Sequence, residues 1–278
     1  MTDISVFGSS GFVGSNFCSY LPEKCIPISR DDNKPKSKDI LYFISTVHNY
    51  NVYDNPYLDI ETNLVKLISV LEETKNIKNA TFNFISSWFV YGQTDNLPAR
   101  ETDMCNPSGF YSITKYAAEK LLISYCETFN INYRILRLTN IIGPGDKKVS
   151  AKKNALQYMF NQLQKNETVN LYDKGEPLRD YMHVNDCVRA ISTVIHSNSK
   201  NLIVNVSNSE PKKIGDLVKY AKDRIKSKSK LMYIPAPDFH KTVQSKNMYI
   251  DNSKLRMLGY TPSMNVYDAI NDILEREK

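Results

Sequence analysis

The sequence predicts an α/β fold, a doubly wound parallel sheet with a smaller C-terminal lobe, and three observations carry that prediction. Short apolar runs alternate with longer amphipathic stretches through the first half of the chain, the pattern of strands covered by helices. Three of only ten glycines fall within the first fourteen positions, whereas ordinary usage would scatter about nineteen over this length. The stretches around 145–180 and 207–278 are more broken and proline-marked, which sets aside a second lobe. The expected division is a dinucleotide-type domain over 1–140, with a returning segment at about 181–206. A substrate lobe would take 141–180 and 207–278. The 278 residues are ample for one large core or two unequal ones.

Taken in order, Ile4 to Phe7 is a first strand and Gly11 to Leu21 a helix. Ile26 to Ser29 is a second strand and Ile40 to Ser45 a third. A helix over about Asp59 to Thr74 has Leu64, Leu67, Ile68 and Leu71 at helical spacing. Thr81 to Ser86 is a strand, Tyr111 to Phe129 a helix, and Tyr133 to Leu138 and Leu202 to Val206 are further strands. Only residues 31–39 join the second strand to the next, too few for a helix plus a strand. The usual third strand of a doubly wound half is therefore expected to be missing. That leaves the second strand at the sheet edge, where Pro27 is tolerated because one row of backbone groups has no partner.

Gly8-Ser9-Ser10-Gly11-Phe12-Val13-Gly14 follows the first strand and opens the first helix. Glycines at that spacing make a tight turn, admit a pyrophosphate close to the backbone, and leave free N–H groups at a helix N-terminus. Strand before and helix after make this the phosphate loop of a Rossmann-type dinucleotide fold. Gly8, Gly11 and Gly14, with Ser10, Phe12 and Val13 between them, are the expected cofactor contacts. The end of the second strand selects the cofactor: an acid there suits ribose hydroxyls, an arginine a 2′-phosphate. Arg30 favours NADP(H) over NAD(H), while the adjacent Asp31 and Asp32 keep NAD open.

Tyr111 and Lys115 stand four apart at the start of a helix, so their side chains share one face. A phenol with a pKa of about 10 is a poor base at neutral pH, and a nearby ammonium lowers it at about 1.4 kcal/mol per pH unit. Ser86-Ser87 closes the preceding strand, before Val90-Tyr91-Gly92. A hydroxyl there can hold the reacting oxygen while the tyrosine moves its proton.

With these motifs the chain resembles an extended short-chain dehydrogenase/reductase of the nucleotide-sugar epimerase/dehydratase family. The resemblance runs over nearly the whole sequence: the glycine loop, Ser86 to Gly92, Tyr111 to Lys115, Arg137 to Gly145, and Arg179 to Asp186. It implies that Ser87, Tyr111 and Lys115 are the catalytic triad, with Lys115 also placing the nicotinamide ribose. Asn140 and Arg179 match positions that contact the substrate diphosphate. Lys246 stands near the place of a phosphate-binding arginine. The end of the third strand, at Ser45, Thr46 and His48, would lie beside the nicotinamide, with Thr46 or His48 touching the sugar; His48 reads equally as a plain loop residue. A homodimer built on the helices at 59–74 and 111–129 is also implied.

The departures point to a reaction. Dehydratases of the family carry an Asp-Glu pair after the catalytic hydroxyl, where this chain has Trp88 and Phe89. Elimination is thus without its acid and base, and Trp88 either walls the sugar pocket or packs the core. What remains is hydride transfer: reduction of a 4-keto sugar nucleotide, which the Ser29-Arg30-Asp31 strand end favours, or 4-epimerisation with tightly held NAD. A non-catalytic dinucleotide-sensing protein would readily lose the tyrosine or the lysine, and this chain keeps both.

Composition narrows the partners. Hydrophobic residues make up 41% and charged residues 24%, which excludes a disordered chain. No run of apolar residues is long enough to span a membrane, and no secretory signal opens the chain. Five scattered cysteines without a C-x-x-C pair read as reduced thiols of a cytoplasmic protein and give no metal site. The +6 net charge comes with no nucleic-acid motif; the basic stretch Lys222 to Lys230 reads as a solvated face, and a positive field suits a polyanionic small substrate. His183 is expected to order its turn, and His196 and His240 to lie on the surface.

Overall fold

The structure, a computed structural model, describes residues 3–147, 149–244 and 246–276. Six parallel strands form its central sheet: β1 (Ile4–Phe7), β2 (Cys25–Ile28), β3 (Asp39–Tyr42), β4 (Thr81–Ser87), β5 (Asn132–Leu138) and β6 (Leu202–Val206), in the order β6-β5-β4-β3-β1-β2. The order reverses at β1, so the sheet is doubly wound as the alternating pattern predicts. Residues 29–38 contain no strand. β2 is therefore the edge, and Pro27 sits in it opposite Val6.

Alternation along each strand sends successive side chains to opposite faces. Ile4 and Val6, Leu41, Ile85, Leu136 and Leu138, and Val204 and Val206 face one way. They pack against α1 (Phe12–Tyr20) and a helix at Val184–His196, through Phe17, Val188, Ile191 and Val194. Phe7, Ile40, Tyr42, Phe82, Phe84 and Ile135 face the other way. A helical stretch covers them, running through Tyr57–Ile60, a π-helical turn Glu61–Val65 and Lys66–Thr74 (together α2), followed by α3 (Phe110–Thr128). Leu67, Val70, Leu71, Ala118 and Leu122 seal that face. Each such side chain removed from water contributes about 1.5–3 kcal/mol.

A third apolar cluster lies beyond the sheet. It joins three helices, Ala155–Gln164, Ile214–Ile225 and Val266–Arg276, through Leu156, Phe160, Leu217, Val218, Ile270 and Ile273. Three short strand pairs accompany it: Asn140–Ile142 with Tyr181–His183, Val169–Tyr172 with Leu231–Ile234, and Leu178–Arg179 with Lys212–Lys213. The helix at Val184–His196 went unread in the sequence. The surrounding motif residues drew the attention, although its apolar spacing is clear. His183 caps it, its ring accepting from the Asn185 N–H at 3.1 Å, and also meets Asp272 at 3.1 Å. The imidazole thus orders the turn, as expected. Among the described residues no helix is long and apolar enough to cross a membrane.

Candidate active site

At the carboxyl ends of the strands lies a cavity of about 720 Å³. One end is made of backbone. Gly8 has φ +79°, a left-handed conformation, and its carbonyl accepts the Gly11 N–H at 3.1 Å. A Cβ on Gly14 would come within 2.3 Å of the Gly8 carbonyl oxygen, so only glycine lets the turn close against α1. No side chain caps the start of α1. Its first N–H groups and the positive end of its dipole face the cavity, a fit for phosphate oxygens.

The other end is made of side chains. The buried face of α3 carries Tyr111, Thr114, Lys115 and Glu119. The Ser87 and Ser45 hydroxyls hydrogen-bond the Tyr111 phenol and pull its pKa down, but burial outweighs them, and the Asp59 charge adds to the rise. Lys115 is 1% exposed; its ammonium donates to the Ile85 carbonyl at 2.7 Å and lies 4.0 Å from the Phe84 ring centre. Burial lowers its pKa to about 7, with Glu119 working the other way. Beneath them Glu119 pairs with Arg137 at 2.7 Å and accepts from the Ser86 hydroxyl at 2.5 Å. Burial opposes the charge on Arg137, yet the Glu119 carboxylate carries its pKa upward.

A hydrogen-bond network ties the end of β3 to both helices. Asn63, inside the π-turn, accepts from the Thr46 N–H and the Ser45 hydroxyl, each at 3.0 Å. Its amide donates to the Thr46 and Thr114 hydroxyl oxygens, each at 2.9 Å. Thr46 in turn donates to Asp59, which also accepts from Asn51 at 3.1 Å. π-turns concentrate at functional sites, and this one puts Asn63 between β3 and α3.

The profile of the NAD dependent epimerase/dehydratase family matches residues 39–207, more than half of the chain. The chain belongs to that family. Membership makes it an NAD(P)-dependent enzyme of the short-chain dehydrogenase superfamily. A provisionally named UDP-glucose 4-epimerase of Methanocaldococcus jannaschii is 27% identical, covering 87% of this chain and 79% of its own. The GDP-6-deoxy-D-mannose reductase of Pseudomonas aeruginosa is 24% identical, covering 97% and 95%. The UDP-glucose 4-epimerase of Thermotoga maritima, solved with UDP-glucose, superposes with a TM-score of 0.90 at 20% identity, covering 99% of this chain and 98% of that one. That likeness is one of fold.

For this family member the cavity gathers most of the residues singled out in the sequence. Gly8, Ser10, Gly11, Phe12, Val13 and Gly14 line the backbone end. Ser45, Thr46, His48, Ser87, Tyr111 and Lys115 line the middle, and Trp88, Asn140 and Arg179 the far side. Trp88 is both wall and packing: it is 4% exposed, stacks on Phe89 with ring centres 3.9 Å apart, and has the Arg179 guanidinium 5.7 Å from its ring centre. Asn140 donates to the Asp180 carbonyl at 2.9 Å. Arg30 and Lys246 are exposed and stand outside the lining. Arg30 closes the edge strand, and Lys246 turns its carbonyl, not its ammonium, inward to accept from Arg179 at 2.9 Å.

Other lining residues were missed. Lys152, Lys153, Tyr50 and His240 all face the cavity. His240 is a correction: the expected surface histidine is half-buried, within 3.4 Å of the Tyr50 hydroxyl and 5.0 Å from the Tyr172 ring centre. It lies on the short helix Asp238–Val243, whose approach to residues 50–53 joins segments nearly two hundred positions apart. Lone residues at that separation carry no periodic signal. The lysines could have been read from the run Lys147 to Lys153, which supplies the positive field inferred from net charge.

Proposed function

We propose that this protein is an oxidoreductase of nucleotide-diphosphate sugars that reduces a 4-keto sugar nucleotide at C4. The observation that carries the reading is the Tyr111 pocket: a buried phenol between Ser87 and Ser45, with Trp88 and Phe89 stacked where elimination would need an acid and a base. A bound nicotinamide dinucleotide supplies the hydride. The glycine turn and the uncapped start of α1 would hold its diphosphate, and Lys115 its nicotinamide ribose. Tyr111 gives its proton to the carbonyl oxygen and Ser87 orients that oxygen. A phenol raised by burial holds its proton until a developing alkoxide takes it. Arg179, Lys152 and Lys153 favour a substrate diphosphate at the far side.

NADP(H) is the preferred cofactor in this reading, because Arg30 has a second cation beside it: the Lys66 ammonium donates to the Arg30 carbonyl at 2.8 Å. The second reading is a 4-epimerase that keeps its NAD, favoured by the M. jannaschii and T. maritima relatives. Two chains would pair through α2 and α3, which expose Val65, Ile68, Ile113 and Leu121, a patch fit for a partner. All five cysteines are free, in keeping with a cytoplasmic enzyme.

The deciding experiment supplies NADPH and a 4-keto-6-deoxy sugar nucleotide made in place by a 4,6-dehydratase. Loss of one NADPH per sugar reduced is the expected result. Interconversion of UDP-glucose and UDP-galactose by the protein as purified, with no net change at 340 nm, would give the site to the epimerase.

A further inference from the structure

Asp59 is fully buried and does not line the cavity, yet it governs groups that do. The direction of each hydrogen bond around it follows by elimination. The Thr46 backbone N–H can only donate, so the Asn63 atom it meets is the carbonyl oxygen. The other Asn63 atom is then the amide, which donates to the Thr46 and Thr114 hydroxyls. With one lone pair of Thr46 so engaged, its single proton goes to Asp59. Thr46, which lines the cavity, is left presenting only an acceptor lone pair. Thr114 carries the chain on to the first turn of α3, bonding the Tyr111 carbonyl at 3.1 Å.

Resting on the reductase reading above, we propose that Asp59 is a positioning residue for proton transfer. Acting through Thr46, it sets the polarity of the network between β3 and α3, and it places a negative charge behind the Tyr111 phenol. Two consequences follow. The substrate group seated against Thr46 must be a hydrogen-bond donor, as a sugar hydroxyl is. The charge also makes loss of the Tyr111 proton harder, which suits a residue that delivers a proton to a ketone.

The surroundings leave Asp59 as the anion acting on Tyr111. Tyr111 also has Lys115 one turn along its own helix, while Ser45, Ser87 and Phe89 are neutral. His48 faces Asp59 as well; burial keeps that imidazole neutral, with Lys152 acting in the same sense and Asp59 and Asp54 against it. One Asp59 oxygen, Oδ2, is buried without a hydrogen-bond partner. Its charge is therefore poorly spent locally and is felt by its neighbours.

The test is a pH titration of Tyr111 in the NADPH-loaded protein, by NMR of [13Cζ]tyrosine, with the Tyr111 signal assigned by its loss in Tyr111→Phe. In Asp59→Asn the midpoint should fall by about half a pH unit, a roughly threefold stronger acid. Asp59→Ser, neutral and smaller, should do the same, while Asp59→Glu should stay near the wild type. An unmoved or raised midpoint in a folded neutral variant overturns the proposal. So does failure of both neutral variants to fold, which would make Asp59 a structural residue. The readout needs no sugar substrate: a shifted midpoint without ketone reduction would sink the reductase reading alone, and reduction with an unmoved midpoint would sink this one.

Discussion

The two ends of the cavity are built differently. The glycine end is made of backbone: a left-handed turn, a close approach at Gly14, and an uncapped helix start. It can bind any dinucleotide and expresses no choice beyond that. The opposite end is made of side chains from β3, the π-turn, β4 and α3, each fixed by a hydrogen bond to the next. A backbone site tolerates change in the residues around it but not in its glycines. A side-chain network tolerates almost none, because each member sets the protonation or orientation of another.

That contrast can be broken at either end. Tyr111→Phe should cut turnover a hundred- to ten-thousand-fold, the usual range for a proton donor, while NADPH affinity by fluorescence titration stays within about twofold. A large loss of cofactor affinity instead would mean that the network supports the backbone end too. Glu119→Ala leaves Arg137 buried without its carboxylate and should cost about 3–5 kcal/mol in urea unfolding. Gly14→Ala forces a Cβ against the Gly8 carbonyl. It should lose about 1–3 kcal/mol and weaken NADPH binding, without changing the pH dependence of whatever turnover remains.

Lys115 supplies a test by pH alone. Its folded pKa of about 7 lies below the unfolded value of 10.5. Between those values the unfolded chain binds more protons, so this group makes stability rise with pH in the dinucleotide-free protein. The gain from pH 7 to 9 should be on the order of 2 kcal/mol and should vanish in Lys115→Met. Asp180 acts with the opposite sign. Burial raises it from 3.8 to about 7, against the pull of the Glu210 and Ser209 N–H groups, so its contribution falls as pH rises through that window. The smallest effect is expected at Arg30→Ala, about a tenfold weaker Kd for NADPH with little change for NADH, roughly 1.4 kcal/mol. Equal weakening of both would remove Arg30 as the selector.

The difference between the two ends also governs what a reader of the sequence can see. β1 and β6 have the boundaries their apolar runs suggest, and the missing strand follows from counting the residues between two strands. The glycine turn is legible because its chemistry needs one residue type at fixed spacing. Asn63 and Asp59 were not legible. They look like ordinary polar positions of an amphipathic helix, and only the π-turn swings Asn63 between β3 and α3. Trp88 could be read as wall or packing, and it is both, since a ring can bury one face and offer an edge to the cavity. His240 escaped because its partners, Tyr50 and Tyr172, come from segments far away in the chain.

The shortened sheet has a consequence for how the molecule meets other copies of itself. Where a relative with a full half-sheet would hide β2 behind another strand, here four residues of edge face outward, and an exposed edge is a template for strand addition and aggregation. Pro27 removes a donor from the middle of that template, and the strand is short and ends in the charges of Arg30, Asp31 and Asp32. The proline that first marked the strand as an edge thus also acts as its gatekeeper against uncontrolled pairing.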